Sequence, residues 1–402
     1  MNIVRHGALP AALLLGLFAV GVLLSQSSYA GMAGGALPTV MAPQGKKLNP
    51  RLLGLKPNIW NRIFQPDQAN WRRQAHAGVA YDSKRGTLLV FGSNTHGLDW
   101  DNEVHEFDPV SGRWETHYLR APKESYRADA AGRAIAGTGR LQPWAMHTYD
   151  NIVYDPGLDA IVVSALPEHN PIRKDLPEAK IHPTWVYDLK TRQWRIFENN
   201  GKPYPKFFAA ASAYDPHRDV IAAYKWGIWE IGPERGEWKR ATRESHHQMH
   251  YTMDYDAKHK KFVVFGDHRI RDGVWVYTPG AQAGDKGTWE KKTPHDQSCP
   301  PGQHFPVAYD NEHGVFLLVV DNIPYAEDEK GRRKRMGRAR SSSTFVYDLG
   351  SNRCTRLPDA DLQPLGMNYM MVYDRFHKVF LLVTGDHGKP AAVWALRLDW
   401  PS

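Results

Sequence analysis

A Tyr-Asp dipeptide followed by a turn and an apolar run recurs six times along this chain. The six dipeptides begin at Tyr81, Tyr154, Tyr214, Tyr255, Tyr309 and Tyr373. A unit that returns every roughly 40 to 75 residues indicates a repeat architecture, in which similar units pack side by side. The repeat therefore constrains the fold more strongly than any other feature of the sequence.

Each unit has the pattern of four short strands. The first ends at Tyr-Asp, and the second is an apolar run such as 88–91 or 262–265. The third carries an aromatic residue and often an Asp, as in 185–188. The fourth is marked by Trp114, Trp194, Trp238 and Trp289, and by Cys354 in the fifth unit. Four strands per unit, with turn residues between them, predict a β-propeller blade.

This pattern resembles Kelch repeats, the blades of galactose-oxidase-like propellers, over about residues 58–400. Most units lack the Gly-Gly pair that usually follows the second Kelch strand, and they have a single glycine there, as at Gly92 and Gly266. The resemblance implies an all-β propeller fold.

Counting strands predicts how the ring closes. The sixth unit ends with its third strand, 393–398, so its fourth strand must come from elsewhere. Residues 66–72 match the fourth-strand motif at 109–114. We therefore expect residues 49–402 to form one domain, a six-bladed Kelch-like β-propeller closed by an N-terminal strand. An unassigned segment at 58–60 leaves seven blades as the alternative.

The N-terminus has the pattern of an export signal. Arg5 precedes an apolar run at 11–24 and a small-residue cleavage site at 28–30. The run is shorter than the roughly 20 residues that a membrane span needs. We expect a signal peptide at 1–30 and a flexible lead-in at 31–48. The protein would then be periplasmic or secreted, without a membrane span after signal removal, and a monomer.

The charge of the chain limits the kind of partner that it is expected to bind. The net charge of +8 suggests an acidic partner, and seven of the 11 residues at 330–340 are Lys or Arg. Export, and the absence of aromatic residues from this basic run, favour anionic polysaccharide over nucleic acid.

Cys299 and Cys354 are candidates for a disulfide in an oxidising compartment, and the sequence leaves that pairing open.

Strand direction predicts that most of the 19 histidines share one end of the propeller. Loops before first strands and after second strands lie at that end. Three pairs recur there at similar spacing, with one member in each kind of loop: His76 and His96, His147 and His169, and His250 and His268. Imidazole suits proton transfer near neutral pH and ligation of transition metals.

A second resemblance concerns the second unit. The stretch 146–150, followed by His169, is similar to the two-histidine blade of propeller-type ulvan lyases, which cleave sulfated uronate polymers by β-elimination. It implies that His147 and His169 are catalytic. The Tyr/Arg pair of that family is not reproduced, because Phe208 and Tyr224 occupy the nearest positions, with Lys225 beside them.

From these patterns we expect an exported propeller that acts on uronate-containing polysaccharide, with a lyase as the most specific hypothesis. The expected catalytic residues are His147, His169, Tyr149 and Tyr224. The expected substrate-binding residues are His76, His96, Lys225, His250, His268, His304, Arg333 and Arg335. The three histidines at 246–250 leave a divalent cation open, and no cofactor is identified. The alternative is a non-catalytic propeller that binds a glycan or a protein.

Overall fold

The computed structural model describes residues 48–64, 71–97, 99–268, 273–295, 299–329, 333–358 and 362–401. The chain divides into two units, Met1–Thr39 and Val40–Ser402, and all of the described residues belong to the second. The predicted signal peptide, and all of the predicted lead-in except its last residue, lie outside the described residues. No helix within the described ranges has the length and apolar character needed to cross a bilayer.

The first two blades follow a strand that belongs to the last one. These elements are α1 (Pro50–Leu53), β1 (Asn61–Phe64), β2 (Gly78–Asp82), β3 (Thr87–Phe91), β4 (His105–Asp108), β5 (Arg113–Thr116), β6 (Arg127–Ala128), β7 (Ala134–Ile135), β8 (Ile152–Asp155), β9 (Ala160–Val163), β10 (Trp185–Asp188) and β11 (Gln193–Ile196). Strands β2–β5 form the first blade and β8–β11 the second, while β6 and β7 form a separate hairpin between them.

The third and fourth blades are regular antiparallel sheets in chain order. Their strands are β12 (Ala211–Asp215), β13 (Val220–Tyr224), β14 (Ile228–Ile231), β15 (Trp238–Thr242), β16 (Thr252–Asp256), β17 (Lys261–Phe265), β18 (Val274–Thr278) and β19 (Thr288–Lys292). Short 3₁₀ turns in the connecting loops cover Thr95–Gly97, Lys123–Ser125, Pro171–Lys174 and Asn199–Gly201.

The fifth blade carries an inserted hairpin, and the sixth contributes only three strands of its own. The strands are β20 (Val307–Asp310), β21 (Val315–Asp321), β22 (Tyr325–Glu327), β23 (Arg333–Arg335), β24 (Ser342–Asp348), β25 (Arg353–Arg356), β26 (Met371–Asp374), β27 (Val379–Thr384) and β28 (Ala392–Leu396). The fifth sheet has the order β20-β21-β24-β25, and β22 pairs with β23 outside it.

The described residues form six four-stranded sheets arranged as a β-propeller, which confirms the predicted fold class. The first strand of each blade packs against the first strand of the next, and β26 returns to β2 to close the ring. Side chains from adjacent sheets form the core between blades, as Tyr224, Phe265 and Phe316 do. The seven-bladed alternative is wrong.

An N-terminal strand closes the sixth blade, as expected, but it is not the predicted segment. Strand β1 pairs with β28, so the sheet order is β1-β28-β27-β26. Trp71, which suggested 66–72, packs on Trp114 of the first blade at 4.6 Å between ring centroids. Trp60, in the segment that suggested a seventh blade, donates to Thr344 Oγ1 of the fifth blade (2.9 Å).

The Tyr-Asp dipeptides end the first strands, and their six Asp residues are fully buried. Asp82 shows their role, because its Oδ1 accepts from the amides of Lys84 (2.8 Å) and Arg85 (3.0 Å) and so shapes the hairpin turn. The Tyr81 hydroxyl donates to Asp374 of the sixth blade (2.7 Å). The dipeptide therefore folds its own turn and joins neighbouring blades. We call this end of the propeller the hairpin face and the opposite end the channel mouth.

The fourth strands carry the predicted Trp residues, and Cys354 replaces Trp on β25. Cys354 forms a disulfide with Cys299, with 4.9 Å between their Cα atoms. This bond ties the loop before the fifth blade to the outer strand of that blade.

Candidate functional site

The channel mouth is held by backbone hydrogen bonds between residues five positions before the Tyr of each repeat. The Tyr149 amide donates to the His76 carbonyl (2.9 Å), and the His304 amide donates to the His250 carbonyl (3.0 Å). The Asn368 amide donates in turn to the His304 carbonyl (3.1 Å). Tyr149, His250 and His304 have left-handed backbones, with φ of 52°, 61° and 43°. Non-glycine residues adopt this conformation at a cost of about 1–2 kcal/mol, so contacts between blades must hold them there.

The structure brings four predicted site residues together, and we call His76, His96, His147 and His169 the imidazole cluster. Ring centroids are 3.9 Å apart for His76 and His147, and also for His96 and His169. The His147 ring lies 4.7 Å from His96 and 5.2 Å from His169. Each of two neighbouring blades thus contributes two histidines, one from the loop before its first strand and one from the loop after its second strand.

A second histidine group lies beside the cluster. The His250 ring is 5.1 Å from His304 and 5.7 Å from His268. Its Nδ1 lies 3.1 Å from the hydroxyl of Tyr369. Tyr149 connects the two groups, because its ring is 5.7 Å from His250 and its hydroxyl bonds to the cluster. All three predicted pairs are therefore close neighbours within one mouth.

His147 is the buried centre of the imidazole cluster. Its Nδ1 lies 3.1 Å from the Tyr149 hydroxyl, and its Nε2 lies 3.0 Å from Thr95 Oγ1. The exposed fractions of His147 and Tyr149 are only 2% and 3%. By contrast, His96 is exposed and His169 is half-buried. A polymer at the mouth would therefore meet His96 and His169 before it met His147.

Burial, assisted by neighbouring imidazoles, makes these histidines poor proton binders. It lowers the pKa of His76 to about 3, that of His304 to about 3 and that of His250 to about 4. The pKa values of His147 and His169 are lowered as well, with burial as the largest cause. Such imidazoles are uncharged at neutral pH. They offer lone pairs, and positive charge for an anionic ligand must come from other residues.

Lys225 supplies a cation beside the cluster. Its Nζ donates to the Gln248 carbonyl (2.7 Å) and lies 6.0 Å from the ring centroid of Phe208. Phe208 in turn packs 5.0 Å from His169. Burial lowers the pKa of Lys225 to about 8, which still leaves the ammonium group mostly charged at pH 7.

Three mouth residues were missed by sequence reasoning: Thr95, Trp226 and Tyr369. Trp226 is 55% exposed, has a φ of 53°, and lies with its ring 4.7 Å from Lys225 Nζ. The Trp-Gly dipeptide at 226–227, in the loop after a second strand, was a usable sequence signal for it. Thr95 and Tyr369 act through partners on other blades, and no sequence pattern marks them.

Tyr224 lies outside the imidazole cluster. It is fully buried, and its hydroxyl accepts from the amides of His246 (2.7 Å) and His247 (3.1 Å). Its contacts anchor the 245–247 loop and do not support the predicted proton-carrier role. The three histidines at 246–250 also separate, because His246 stacks on Trp275 at 3.6 Å while His250 bonds to Tyr369.

The basic insertion of the fifth blade borders the mouth. Arg333 and Arg335 lie on β23, and Arg333 Nε is 3.2 Å from Glu327 Oε1. A cavity of about 80 Å³ is lined by both Arg335 and His304, and the charge of Arg335 contributes to lowering the pKa of His304. Residues 330–332 lie outside the described part of the chain.

Three groups of side chains place candidate ligand atoms within 4.8 Å of one another in the described residues: His76, His96 and His147; Asp101, Glu103 and His105; Glu106, Glu115 and His117. The two acidic groups are neutralised by protein cations. Arg120 Nη2 lies 3.0 Å from Glu103, and Arg192 pairs with Glu115. A flank cavity of about 400 Å³, the larger of the two cavities described, is lined by the third group, and no histidine of the imidazole cluster lines it.

Comparison with known proteins adds little to this geometry. No protein-family model matches the chain, and no curated protein matches it either. One solved structure that it is similar to is a structural genomics protein of unknown function from Bacteroides thetaiotaomicron VPI-5482, with 11% identity and a TM-score of 0.44. The match covers 84% of this chain and 75% of that one. Neither the Kelch nor the ulvan lyase resemblance is confirmed, and the likeness carries no argument about activity.

Proposed function

We propose that this chain is an exported propeller that cleaves an anionic, uronate-containing polysaccharide by β-elimination at the channel mouth. The surroundings of His147 support this most, because its ring lies 5.2 Å from that of His169 and its Nδ1 lies 3.1 Å from the Tyr149 hydroxyl, and all three residues were predicted from the second unit. Elimination requires a base, a proton donor, and positive charge near the uronate carboxylate. The mouth offers imidazoles for proton transfer, and Lys225 and Arg335 as cations.

His169 is the best placed general base. It is half-buried at the mouth, and its ring packs against both His96 and Phe208. In the reaction its imidazole takes the C5 proton, and the C–H electrons form the C4=C5 double bond as the C4–O bond breaks. The leaving oxygen takes a proton from the imidazolium so formed. No oxidant or reductant is needed.

His147 and Tyr149 are assigned a positioning role in this proposal. Both are nearly inaccessible, and Thr95 and Tyr149 occupy the two nitrogens of His147. Their hydrogen bonds fix the surface on which His96 and His169 rest. This assignment revises the sequence-based expectation that His147 itself meets the substrate.

Binding would combine charge with stacking. Lys225 lies between Phe208 and the exposed Trp226, so a sugar ring on Trp226 would hold its carboxylate close to the ammonium group. Arg335 lies on the His304 side of the mouth and could contact a neighbouring sugar of the same chain. Cations on both sides suit a polymer better than a single small acid.

The test is the ultraviolet absorbance of the unsaturated product on a panel of uronate polymers, with and without sulfate. We expect activity on at least one polymer, and a loss of about a hundredfold or more for His169→Gln. His259→Gln, a hairpin-face histidine, is the matched control. Absence of unsaturated product from every polymer would overturn the proposal, as would full activity of His169→Gln.

The second candidate is a non-catalytic glycan-binding propeller. The exposed Trp226 and the basic hairpin favour it, because both are binding features that require no chemistry. Retention on an anionic-polysaccharide column without any unsaturated product would favour this candidate over the lyase.

A further inference from the structure

We infer that His76, His96 and His147 form a three-imidazole binding site for a zinc-class divalent cation at the channel mouth. Candidate nitrogens of the three rings lie within 4.8 Å of one another. Three histidines with a fourth, open position are a common ligand set of catalytic zinc sites. The site involves two blades, because His76 and His96 flank β2 and β3 whereas His147 precedes β8.

The rings need only a small movement to bind an ion. Tetrahedral zinc with Zn–N bonds of about 2.0–2.1 Å places its ligand nitrogens roughly 3.3 Å apart. The candidate nitrogens, which are now at most 4.8 Å apart, therefore have to approach one another by about 1.5 Å at most. His76 and His147 are now stacked with 14° between their planes, so at least one of them has to rotate.

His76 has the freedom to make this movement. Its Nδ1 is buried and has no hydrogen-bond partner in the described part of the chain. An unsatisfied buried nitrogen is costly, and rotation of this ring breaks no bond to that atom. A metal ion would supply the missing partner.

The surroundings of His147 suit a ligand. The Tyr149 hydroxyl at Nδ1 can orient the ring, which leaves Nε2 for the ion in place of its present contact with Thr95 Oγ1. Metal-binding histidines usually have such a partner on their other nitrogen. His96 is exposed, so the fourth position opens towards solvent at the mouth.

The donor set also selects the class of ion. Three imidazoles favour zinc, nickel, cobalt or copper over calcium and magnesium, which prefer oxygen ligands. The two acidic groups contrast with this site, because Arg120 and Arg192 already neutralise them. His76, His96 and His147 have no such protein cation among their described contacts.

A role for the ion in catalysis rests on the proposed function. There it would bind the uronate carboxylate and supply the positive charge that neutral imidazoles lack. Binding of the ion itself is independent of that function, so it can be tested without a polymer.

The experiment titrates the purified, chelator-treated full chain with Co²⁺ and follows the visible absorbance of tetrahedral cobalt, with Zn²⁺ as competitor. We expect one ion per chain. His76→Ala and His96→Ala should each weaken Co²⁺ binding by about a hundredfold or more, and Thr95→Val should change it by about tenfold at most. His268→Ala, at the same mouth but outside the three ligands, should bind as the wild type does. Thermal unfolding of each variant verifies that it is folded.

Failure to bind one ion per chain would overturn the metal site, and so would unchanged binding by the folded His76→Ala and His96→Ala variants. The polymer assay separates this result from the proposed function. Stoichiometric binding without elimination on any polymer supports the site and overturns the lyase. Elimination by a chain that binds no ion overturns the site alone.

Discussion

The histidines at the two ends of the propeller have opposite surroundings. On the hairpin face, the Nδ1 atoms of His259, His313 and His377 lie 2.7, 2.7 and 2.5 Å from the Asp three residues earlier. At the channel mouth, the nearest aromatic neighbours of His76 are His147, Tyr149 and His96. An imidazole bonded to a buried carboxylate stabilises the fold, whereas the Nδ1 atom of His76 has no described hydrogen-bond partner and remains available to a ligand.

The largest expected difference between the two faces is in catalysis. His169→Gln should lower the rate of elimination by about 10²–10⁴-fold, the usual contribution of a general base. His259→Gln should leave the rate within about twofold, because position 259 lies at the other end of the channel. Initial rates on the best polymer measure both. Equal losses would show that the two faces do not differ in function.

For the free energy of unfolding, substitutions on the hairpin face should have larger effects than substitutions at the channel mouth. Asp374 is fully buried and accepts from the Tyr81 hydroxyl (2.7 Å) and lies 2.5 Å from His377 Nδ1. Asp374→Ala should cost about 3 kcal/mol or more, because it leaves several buried donors unpaired. His76→Ala should cost about 1 kcal/mol, since no side-chain hydrogen bond of His76 is described. Urea unfolding at neutral pH gives both values, and a larger loss for His76→Ala would contradict the comparison.

Acid should destabilise the two faces in different pH ranges. His304 has its pKa lowered from 6.5 to about 3 by burial, so the unfolded chain binds the proton more readily. Its contribution is present above pH 6.5 and decreases as the pH falls towards 3, by about 5 kcal/mol in total. On the hairpin face, the hydrogen bond from Arg85 lowers the pKa of Asp159 to about 2. That contribution, about 1 kcal/mol after allowance for partial exposure, is lost only between about pH 4 and 2.

Melting temperatures between pH 7 and pH 2 separate these two ranges. His304→Gln should reduce the decrease of the melting temperature between about pH 6.5 and 3, and leave the decrease between about pH 4 and 2 unchanged. Asp159→Asn should do the reverse. A curve that neither substitution alters would show that the pKa shifts of these two residues do not control acid stability.

The smallest expected effect concerns strain at the mouth. Trp226 adopts a φ of 53°, which glycine adopts freely and alanine only at a cost of about 1–2 kcal/mol. Trp226→Gly and Trp226→Ala should weaken polymer affinity alike, by about tenfold, if the ring provides a stacking contact. The glycine variant should be more stable than the alanine variant by about 1 kcal/mol. Calorimetric binding and urea unfolding test the two statements separately, and unchanged affinity would exclude Trp226 from the binding surface.

The regular part of this molecule was predictable because it repeats. The Tyr-Asp turns, the apolar second strands and the Trp positions all appear where their spacing placed them. The prediction of the closing strand at 66–72 was wrong for a physical reason. Strand β1 is a partly exposed edge of four residues, so it has neither an apolar run nor a Trp to mark it. Trp71 has the expected motif but packs in the first blade.

The candidate site was only partly predictable. Spacing correctly indicated that His147 and His169 would be neighbours, because both flank strands of one blade. It could not show that His147 is buried, since that depends on Thr95 from the preceding blade and on Tyr149 beneath it. Contacts that cross from blade to blade leave no period in the sequence, and they determine which imidazoles a ligand can reach.

The pairing of Asn61–Phe64 with Ala392–Leu396 has a consequence for biosynthesis. The ribosome makes the first of these segments long before the second, so the sixth sheet cannot form until Ala392–Leu396 has been made. A product that stops before Ala392 leaves Asn61–Phe64 without a partner and exposes unpaired strand edges, which favour aggregation. A stop before Ala392 therefore yields an open arc rather than a smaller ring, and closure of the ring shows that synthesis has passed Leu396.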